Sequence, residues 1–299
     1  MAVRIAAAGQ VRSPMLGIGL ALLAFAMFTC MDVFVKLLGE RLHVLQVLAM
    51  NSVFALLAVV VIGYLRGGLR RLRPRLWGLQ LTRWAISYVG TVSIFWCYPR
   101  MALADVYAIL FASPLLITAL SVPVLGETVG WRRWMAVGVG FLGVLVVLAP
   151  GSHAFEITAL VALLGALAHS MNMLLVRRLG SREPVEVLGL VGNSMTAMVS
   201  ALALPFVWQS PSVQQVGMSA AAGTIAGSGF LLLAQAFRST PAAVVAPFQY
   251  SQMIYGIVVG LLIFGDVPSS RMLTGALIIV ASGLYVLHRE RLAVRAVPA

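Results

Sequence analysis

Charged residues are scarce in this chain. Only 10% of its 299 residues are Asp, Glu, Lys or Arg, whereas 61% are hydrophobic. A water-soluble domain carries about a quarter of its residues as charges, so a chain with this few could not cover a water-facing surface. The composition excludes a soluble globular protein and indicates that most of the chain is surrounded by lipid.

Acidic residues are the rarest charged type, with nine Asp and Glu against 21 Lys and Arg. The net charge of +12 could indicate nucleic-acid binding, but no basic patch interleaved with aromatic residues is present. The basic residues instead fall in short segments between apolar runs, as the positive-inside rule describes for membrane proteins. We therefore expect no nucleic-acid partner.

Motifs for catalysis and metal binding are also absent. The sequence has no phosphate-binding loop of the nucleotide hydrolases, no His-Glu-x-x-His and no Gly-x-Ser-x-Gly. Its two cysteines, Cys30 and Cys97, both lie in apolar runs, which predicts buried packing residues and neither a disulfide nor a metal pair. We expect no enzyme activity, no cofactor and no metal site.

Ten apolar segments are each long enough to cross a bilayer as a helix, because about 20 residues rising 1.5 Å each span the hydrocarbon core. Turn-forming residues such as Gly39, Pro99 and Pro241 separate several of them. The predicted fold class is an all-α membrane protein with ten transmembrane helices. The segments, numbered as spans 1 to 10, are residues 14–38, 43–65, 76–98, 102–124, 131–149, 155–176, 185–208, 216–237, 241–264 and 270–288.

Positive charge is unevenly distributed between the two sides of these spans. Most of the 21 Lys and Arg fall on the side that holds both chain ends, including Arg4, Arg12 and the basic segment 66–75. Loops rich in Lys and Arg stay in the cytoplasm. We therefore expect a multi-pass protein of the bacterial inner membrane with cytoplasmic N- and C-termini.

The second half of the chain repeats features of the first half, shifted by about 139 residues. Leu125-Gly126-Glu127 recurs as Phe264-Gly265-Asp266, and an arginine follows the acid by five residues in both copies. Five spans per copy would place the copies in opposite orientations, so we predict two inverted five-helix repeats, residues 1–150 and 151–299. Further matched pairs, at slightly larger offsets, are Asp32 with Asn172 and Asn51 with Asn193.

Another matched pair, Ser113 and Gln252, lies near the middle of the membrane. At 1.5 Å per residue, Ser113 lies about 16 Å into span 4, and Gln249 and Gln252 lie about 12–17 Å into span 9. Pro114 and Pro247 each remove a backbone hydrogen bond, which either only shapes helix packing or leaves a carbonyl facing a cavity. Inverted-repeat transporters bind substrate at this depth, so Ser113, Gln249 and Gln252 are predicted to contact polar substrate atoms.

Spans 1, 3 and 6 carry further polar residues. Asp32 and Lys36 lie four apart in span 1, either as an ion pair within the helix or with Asp32 as a proton or substrate ligand. Arg83 of span 3 either extends to the lipid headgroups or faces a substrate carboxylate. None of the nine acids lies near the predicted midplane, which weakens proton antiport and leaves Asp32 and His169 as candidate coupling residues. The candidate substrate ligands in these spans are Ser87, Thr91, His169 and Asn172.

Spans 4 and 8 complete the candidate site. Tyr107 and Phe111 lie four apart on one face of span 4, where they either contact an apolar part of the substrate or pack in the core. Ser228 of span 8 is the remaining candidate ligand.

Two pairs of segments resemble the ten-span EamA-type members of the drug/metabolite transporter superfamily. One pair is Ala112-Ser113-Pro114 with Leu125-Gly126-Glu127, and the other is Ala246-Pro247-Phe248-Gln249-Tyr250 with Phe264-Gly265-Asp266-Val267-Pro268. The resemblance covers almost the whole chain and implies an inverted five-plus-five fold with a central cavity formed mainly by spans 1, 3, 4, 6, 8 and 9. Ten-span members include YddG-type amino-acid exporters, S-adenosylmethionine carriers and nucleotide-sugar transporters.

These features together predict a secondary transporter that moves a small metabolite by alternating access around a midplane cavity. A neutral polar lining without a strong fixed charge fits a zwitterion, so amino-acid export is the expected activity. Uptake or exchange of S-adenosylmethionine or a related metabolite is the alternative, and a non-transporting membrane receptor or assembly protein is an alternative of another class. The expected partners are the small-molecule substrate and the lipid bilayer, and a monomer is expected to suffice.

Overall fold

The computed structural model describes residues 14–67, 74–148, 157–179 and 185–295, which are helical and contain no strand. Both chain ends, most of the basic segment 66–75 and the expected boundary between the halves at residues 150 and 151 lie outside the described residues. The helices are α1 Pro14–Gly39, α2 Val44–Gly67, α3 Trp77–Cys97, α4 Leu103–Leu110, α5 Ser113–Leu125, α6 Trp131–Leu148, α7 Ile157–Leu179, α8 Val185–Val207, α9 Val213–Ser239, α10 Ala242–Val245, α11 Ser251–Val259 and α12 Ser270–Arg295.

Nine segments within these described ranges are long and apolar enough to cross a membrane. They correspond to every predicted span except span 3. That span forms the 21-residue helix α3, whose apolar character is reduced by Gln80, Thr82 and Arg83. An all-α membrane protein is therefore confirmed, whereas the inverted relation of the two halves stays a prediction.

Spans 4 and 9 are both interrupted near a proline. In span 4, α4 ends at Leu110 and α5 begins at Ser113 with Pro114 in its first turn. In span 9, a 3-10 segment, Ala246–Tyr250, separates α10 from α11, and a π-helical turn follows α11. Proline has no backbone N–H to continue a helix through its own position, but it fits the first turn of a new one. The two prolines therefore account for breaks in the middle of both spans.

The turns that follow spans 4 and 9 have the same backbone geometry. Gly126 and Gly265 have φ angles of 70° and 69°, in the left-handed region that a side chain would strain. The amide of the next residue, Glu127 or Asp266, donates to the carbonyl six residues earlier. The repeated Gly-acid sequence thus ends a helix in both halves.

Helices of the first half pack mainly against helices of the second half. α1 packs on α9, α2 on α8 and α9, α3 on α7, and α6 on α12. Small residues allow the close approach: a Cβ atom on Gly227 of α9 would lie 2.9 Å from the Ala55 carbonyl of α2. The space between the two halves is therefore enclosed by long helices on both sides.

The two cysteines lie in different environments. Cys97 is buried, and its thiol donates to the Thr158 carbonyl at 3.3 Å. Cys30 is exposed, so its expected burial is wrong. An apolar residue can face either lipid or the protein interior, so hydrophobicity alone did not show that Cys97 is buried and Cys30 is exposed.

Candidate substrate cavity

A cavity of about 450 Å³ lies between the two halves of the chain. Small-molecule sites typically measure about 300–1,000 Å³, so the cavity has the size of a ligand site. Helices α1, α2 and α3 form one wall, which we call the first wall, and α7, α8 and α9 form the opposite, second wall. Polar side chains from both walls and charged side chains from the first wall line the space.

Arg83 of α3 forms the basic end of the cavity. Its side chain is only 7% exposed and donates to Gln80 Oε1 at 3.3 Å, to Asn172 Oδ1 at 3.3 Å and to the Leu188 carbonyl at 3.1 Å. These bonds join α3 to α7 and α8. The guanidinium therefore points into the bundle, and the alternative in which it extends to the lipid headgroups is wrong.

Asp32 of α1 forms the acidic end of the cavity. Its Oδ2 accepts a hydrogen bond from the Tyr107 hydroxyl at 2.6 Å, and its Oδ1 is buried without a partner among the described residues. Lys36 does not pair with Asp32, because its Nζ bonds Asp266 Oδ2 at 2.9 Å and the Met101 carbonyl at 3.1 Å. The ion pair within span 1 is therefore absent, since the long lysine side chain reaches the turn after span 9 instead.

The acidic and basic ends are well separated along α3. Tyr98, just after the end of α3, interacts with Asp32, and both residues line the cavity. Arg83 precedes Tyr98 by 15 positions in the sequence, which corresponds to about 22 Å along a helix axis. Between the two ends, α3 lines the cavity with Trp84, Ser87, Thr91 and Phe95.

The second wall is polar and carries no lining carboxylate, lysine or arginine in the described part of the chain. His169 and Asn172 of α7 line the second wall, and His169 is exposed to the cavity. On α8, Thr196 Oγ1 accepts a hydrogen bond from Trp84 Nε1 at 3.1 Å. Asn193 lies three residues before it and also lines the space.

Four of the ten predicted substrate ligands line this cavity, namely Ser87, Thr91, His169 and Asn172. The candidate coupling residues Asp32 and His169 line it as well. The other six predicted ligands are not among its lining residues, and their role in binding stays a prediction: Tyr107, Phe111, Ser113, Ser228, Gln249 and Gln252.

The three candidates of span 4 are buried in the packing between helices. Tyr107 supports Asp32 from behind through its hydroxyl. The Phe111 ring meets the Tyr250 ring edge-on, with centroids 5.0 Å apart, and the Ser113 carbonyl accepts a hydrogen bond from Ser170 at 3.3 Å. The remaining three candidates, Ser228, Gln249 and Gln252, are partly exposed.

Several lining residues were not selected from the sequence, although a signal existed for two of them. Asn51 and Asn193 occupy matched positions in the two halves, and both line the cavity. Asn51 Nδ2 is buried without a partner among the described residues. Asp32 and Asn172 are a second matched pair at the cavity, so two matched pairs meet at this one space. Trp84 and Thr196 gave no comparable signal.

Known proteins resemble this chain over most of its length. The EamA-like transporter family matches residues 15–149 and again residues 156–287. An S-adenosylmethionine uptake transporter of Rickettsia bellii is 27% identical over 281 residues, covering 92% of this chain and 94% of its own. A riboflavin transporter of Vibrio cholerae is 31% identical over 243 residues, with 79% and 81% covered. A pseudopaline exporter of Pseudomonas aeruginosa is 23% identical over 271 residues, with 89% and 94% covered.

A solved crystal structure has the same fold, with a TM-score of 0.65 and 17% identity over 94% of this chain and 99% of that chain. The two family matches leave only short stretches of the chain uncovered, and the relatives are all named as transporters. The resemblance found in the sequence is thereby confirmed. This chain belongs to the EamA-like transporter family of the drug/metabolite transporter superfamily and is a multi-pass membrane transporter.

Proposed function

We propose that this transporter carries an amino-acid-derived metabolite with an aromatic ring and both cationic and anionic groups, of the S-adenosylmethionine class, through the cavity between its two halves. One observation carries the proposal: the cavity has a carboxylate at one end, a guanidinium at the other and aromatic side chains between them. Because the two ends lie about 22 Å apart along α3, the substrate carboxylate would bind at the basic end with the ring on the adjacent aromatic surface, and the cationic groups would meet the acidic end at a different stage of passage.

The basic end has capacity for a substrate carboxylate. A guanidinium has five N–H donors in a planar fork that matches a carboxylate. The described contacts of Arg83 use three of them. The remaining donors can bind a carboxylate, and a charge-assisted hydrogen bond contributes about 1.5–3 kcal/mol.

The acidic end has capacity for a cationic group. The unpartnered Asp32 Oδ1 is a buried hydrogen-bond acceptor, and leaving such a group unsatisfied costs about 1–3 kcal/mol. An ammonium or sulfonium group of the substrate would satisfy it. Riboflavin has an aromatic ring system but neither an ammonium nor a carboxylate, so the two charged ends favour S-adenosylmethionine over riboflavin.

The middle of the cavity has aromatic surface for a heterocycle. Trp84 and Phe95 of α3, Phe28 of α1 and Phe230 of α9 are among its lining residues. Offset or edge-on contacts between aromatic rings contribute about 0.5–1.5 kcal/mol beyond the area they bury. An adenine ring could use this surface, and the relatives named as S-adenosylmethionine transporters, which cover 92% of this chain, support the same class.

The proposal also includes the architecture and the mechanism. The chain consists of two inverted five-helix repeats, residues 1–150 and 151–299, in the inner membrane with cytoplasmic termini. It transports by alternating access. The double family match and the packing of each half against the other support it. The contacts that would have to open for the halves to separate include the ion pair of Lys36 with Asp266 and the bonds of Arg83 to α7 and α8.

Amino-acid export stays a prediction beside this proposal. The guanidinium of Arg83 would bind the carboxylate of an amino acid, but a small amino acid would leave the aromatic surface beside it unused. The two activities therefore differ in how much they depend on Trp84.

The test is flux in liposomes that contain the purified protein, with S-adenosylmethionine, riboflavin and a panel of amino acids as separate substrates. We expect S-adenosylmethionine to move, and Trp84→Leu to slow it about tenfold, since a stacking partner and a bond to the second wall are lost. Trp208→Leu is the matched control, because Trp208 is exposed at the end of α8 and is not among the lining residues.

Transport of amino acids without S-adenosylmethionine would establish the exporter activity in place of the proposal. Movement of none of these compounds would contradict both the proposal and the exporter activity. Repeating the assay with and without a pH gradient measures whether Asp32 or His169 couples transport to protons, since only a coupled carrier accelerates with the gradient.

A further inference from the structure

A second concave site lies on the outside of the helical bundle, between α6 and α12. It measures about 400 Å³ and is lined by Trp131, Arg132, Met135, Ala136, Val139, Ser282 and Tyr285. Ser282 closes its floor by donating to the Ala136 carbonyl at 2.7 Å. We call this site the outer groove. It is separate from the substrate cavity, whose lining shares none of these residues.

Basic residues from both helices gather at one end of the outer groove. Ser282 lies level with Ala136, and Gly275 lies against Gly143, so the two helices are antiparallel. Arg132 and Arg289 consequently lie on the same side of the Ser282 level, about 6 Å and about 10 Å from it along the helix axes. Two arginines from different helices therefore lie at the same end of the groove, Arg132 in its lining and Arg289 one turn beyond Tyr285 on α12.

Aromatic side chains flank the basic end of the outer groove, and apolar side chains continue the groove away from it. Arg132 lies over the Trp131 ring, with 5.4 Å to the centroid, and Tyr285 is exposed on the opposite side. Deeper along α6, Met135 and Val139 are exposed apolar residues within a predicted membrane span. Tryptophan and tyrosine are typical of the headgroup level of a bilayer, and exposed apolar residues below them face acyl chains.

We propose that the outer groove binds an anionic phospholipid. Arg132 and Arg289 contact its phosphate, Trp131 and Tyr285 flank its glycerol region, and one acyl chain follows Met135 and Val139. Basic pockets between transmembrane helices recognise anionic headgroups in this way. The outer groove has cations and aromatic rings at one end and apolar surface beyond them, which matches the headgroup and acyl chain of a phospholipid and selects a lipid over a soluble anion or a protein segment.

Native mass spectrometry of the full chain in detergent tests the proposal, with phosphatidylglycerol and phosphatidylcholine of identical acyl chains as probes. We expect the protein to retain phosphatidylglycerol preferentially. The double variant Arg132→Gln with Arg289→Gln should lower that retention about tenfold or more, because each arginine near the headgroups contributes about 1 kcal/mol.

The control is the double variant Arg100→Gln with Arg271→Gln. Both arginines are exposed, and Arg100 also lies over a tryptophan, Trp96, at 4.1 Å, so this variant removes the same charge and a similar ring contact elsewhere. Unchanged retention in the control supports the groove. An equal loss in both double variants, or equal retention of the two lipids by the unaltered protein, would overturn the proposal.

Val139→Trp provides a second test that leaves every arginine in place. Val139 is exposed, so the larger ring obstructs the acyl path without entering the core. We expect weaker retention of long-chain phosphatidylglycerol and unchanged retention of a short-chain form whose acyl groups end before Val139. Equal retention of both forms, or binding of inorganic phosphate without the lipid, would contradict the assignment.

Discussion

The first and second walls of the substrate cavity come from matched stretches of sequence but carry different charge. Asp32 in the first wall matches Asn172 in the second, and Asn51 matches Asn193; all four line the cavity. The first wall adds Arg83, and the second wall has neutral side chains and His169. The comparison indicates that the two halves place polar residues at matched positions, while the exchange of carboxylate for amide at one of them, together with Arg83, gives only the first wall its charges.

Removing the basic end of the first wall should have the largest effect. Arg83→Gln takes away the charge that we propose binds the substrate carboxylate, together with part of the link to α7 and α8, so the affinity for S-adenosylmethionine should fall about 100-fold. Titration calorimetry on the purified protein measures this change. Arg83→Lys should recover only part of the affinity, because an ammonium lacks the planar fork. A fall of the same size in the control Arg100→Gln would show that the loss is not specific to the cavity.

Asp32→Asn makes the first wall resemble the second wall at a matched position. The amide oxygen can still accept from Tyr107, so the packing should persist while the charge disappears. We expect about tenfold weaker binding of S-adenosylmethionine. S-adenosylhomocysteine, the thioether analogue without the sulfonium charge, should lose less. Equal losses for the two compounds would exclude a contact between Asp32 and the sulfonium.

The reciprocal variant, Asn172→Asp, gives the second wall a charge. The new carboxylate would lie within reach of Arg83, whose Nη1 is 3.3 Å from Asn172 Oδ1, and would compete with the carboxylate of the substrate. Binding should weaken about fivefold, with the melting temperature unchanged or raised by the new ion pair. Tighter binding after this change would contradict the assignment of Arg83 to the substrate carboxylate.

Gln252→Leu should have the smallest effect of this series. Gln252 matches Ser113 in the sequence, yet neither is among the residues that line the cavity. We expect flux to fall about twofold, with the melting temperature unchanged, because a partly exposed amide is replaced by a side chain of similar size. Unchanged flux in the liposome assay would remove Gln252 from the substrate path, and a loss as large as that of Arg83→Gln would place it in the centre.

Much of the fold could be predicted from the sequence because lipid imposes a minimum helix length. The predicted spans agree with the helices to within a few residues in the described ranges, and the prolines of spans 4 and 9 lie where both spans break. Gly126 and Gly265 adopt the left-handed conformation in which helices end. These features are local, so a single stretch of sequence contains the information that determines them.

The site was less predictable because it depends on which helices are neighbours. Lys36 was expected to pair within its helix, yet it contacts Asp266, 230 positions away. Arg83 could reach the lipid headgroups by length alone, and only its partners on α7 and α8 show that it does not. Depth along a span placed Ser113 and Gln252 near the midplane, but depth does not indicate the direction in which a side chain points. The matched asparagines, Asn51 and Asn193, were a better signal for the cavity lining, since both halves have a polar side chain at the same position of the repeat.

Because Trp84 is hydrogen-bonded to Thr196 across the cavity, its fluorescence should report whether the cavity is occupied. Trp84 is the one tryptophan of the six in the chain that lines the cavity, and its indole joins the two walls at 3.1 Å. Indole emission depends on the polarity and hydrogen bonding of the ring. A ligand that displaces cavity water, or a movement that separates the walls, would therefore shift the fluorescence of Trp84 without any attached dye, and opening and filling could be followed in real time in the unmodified chain.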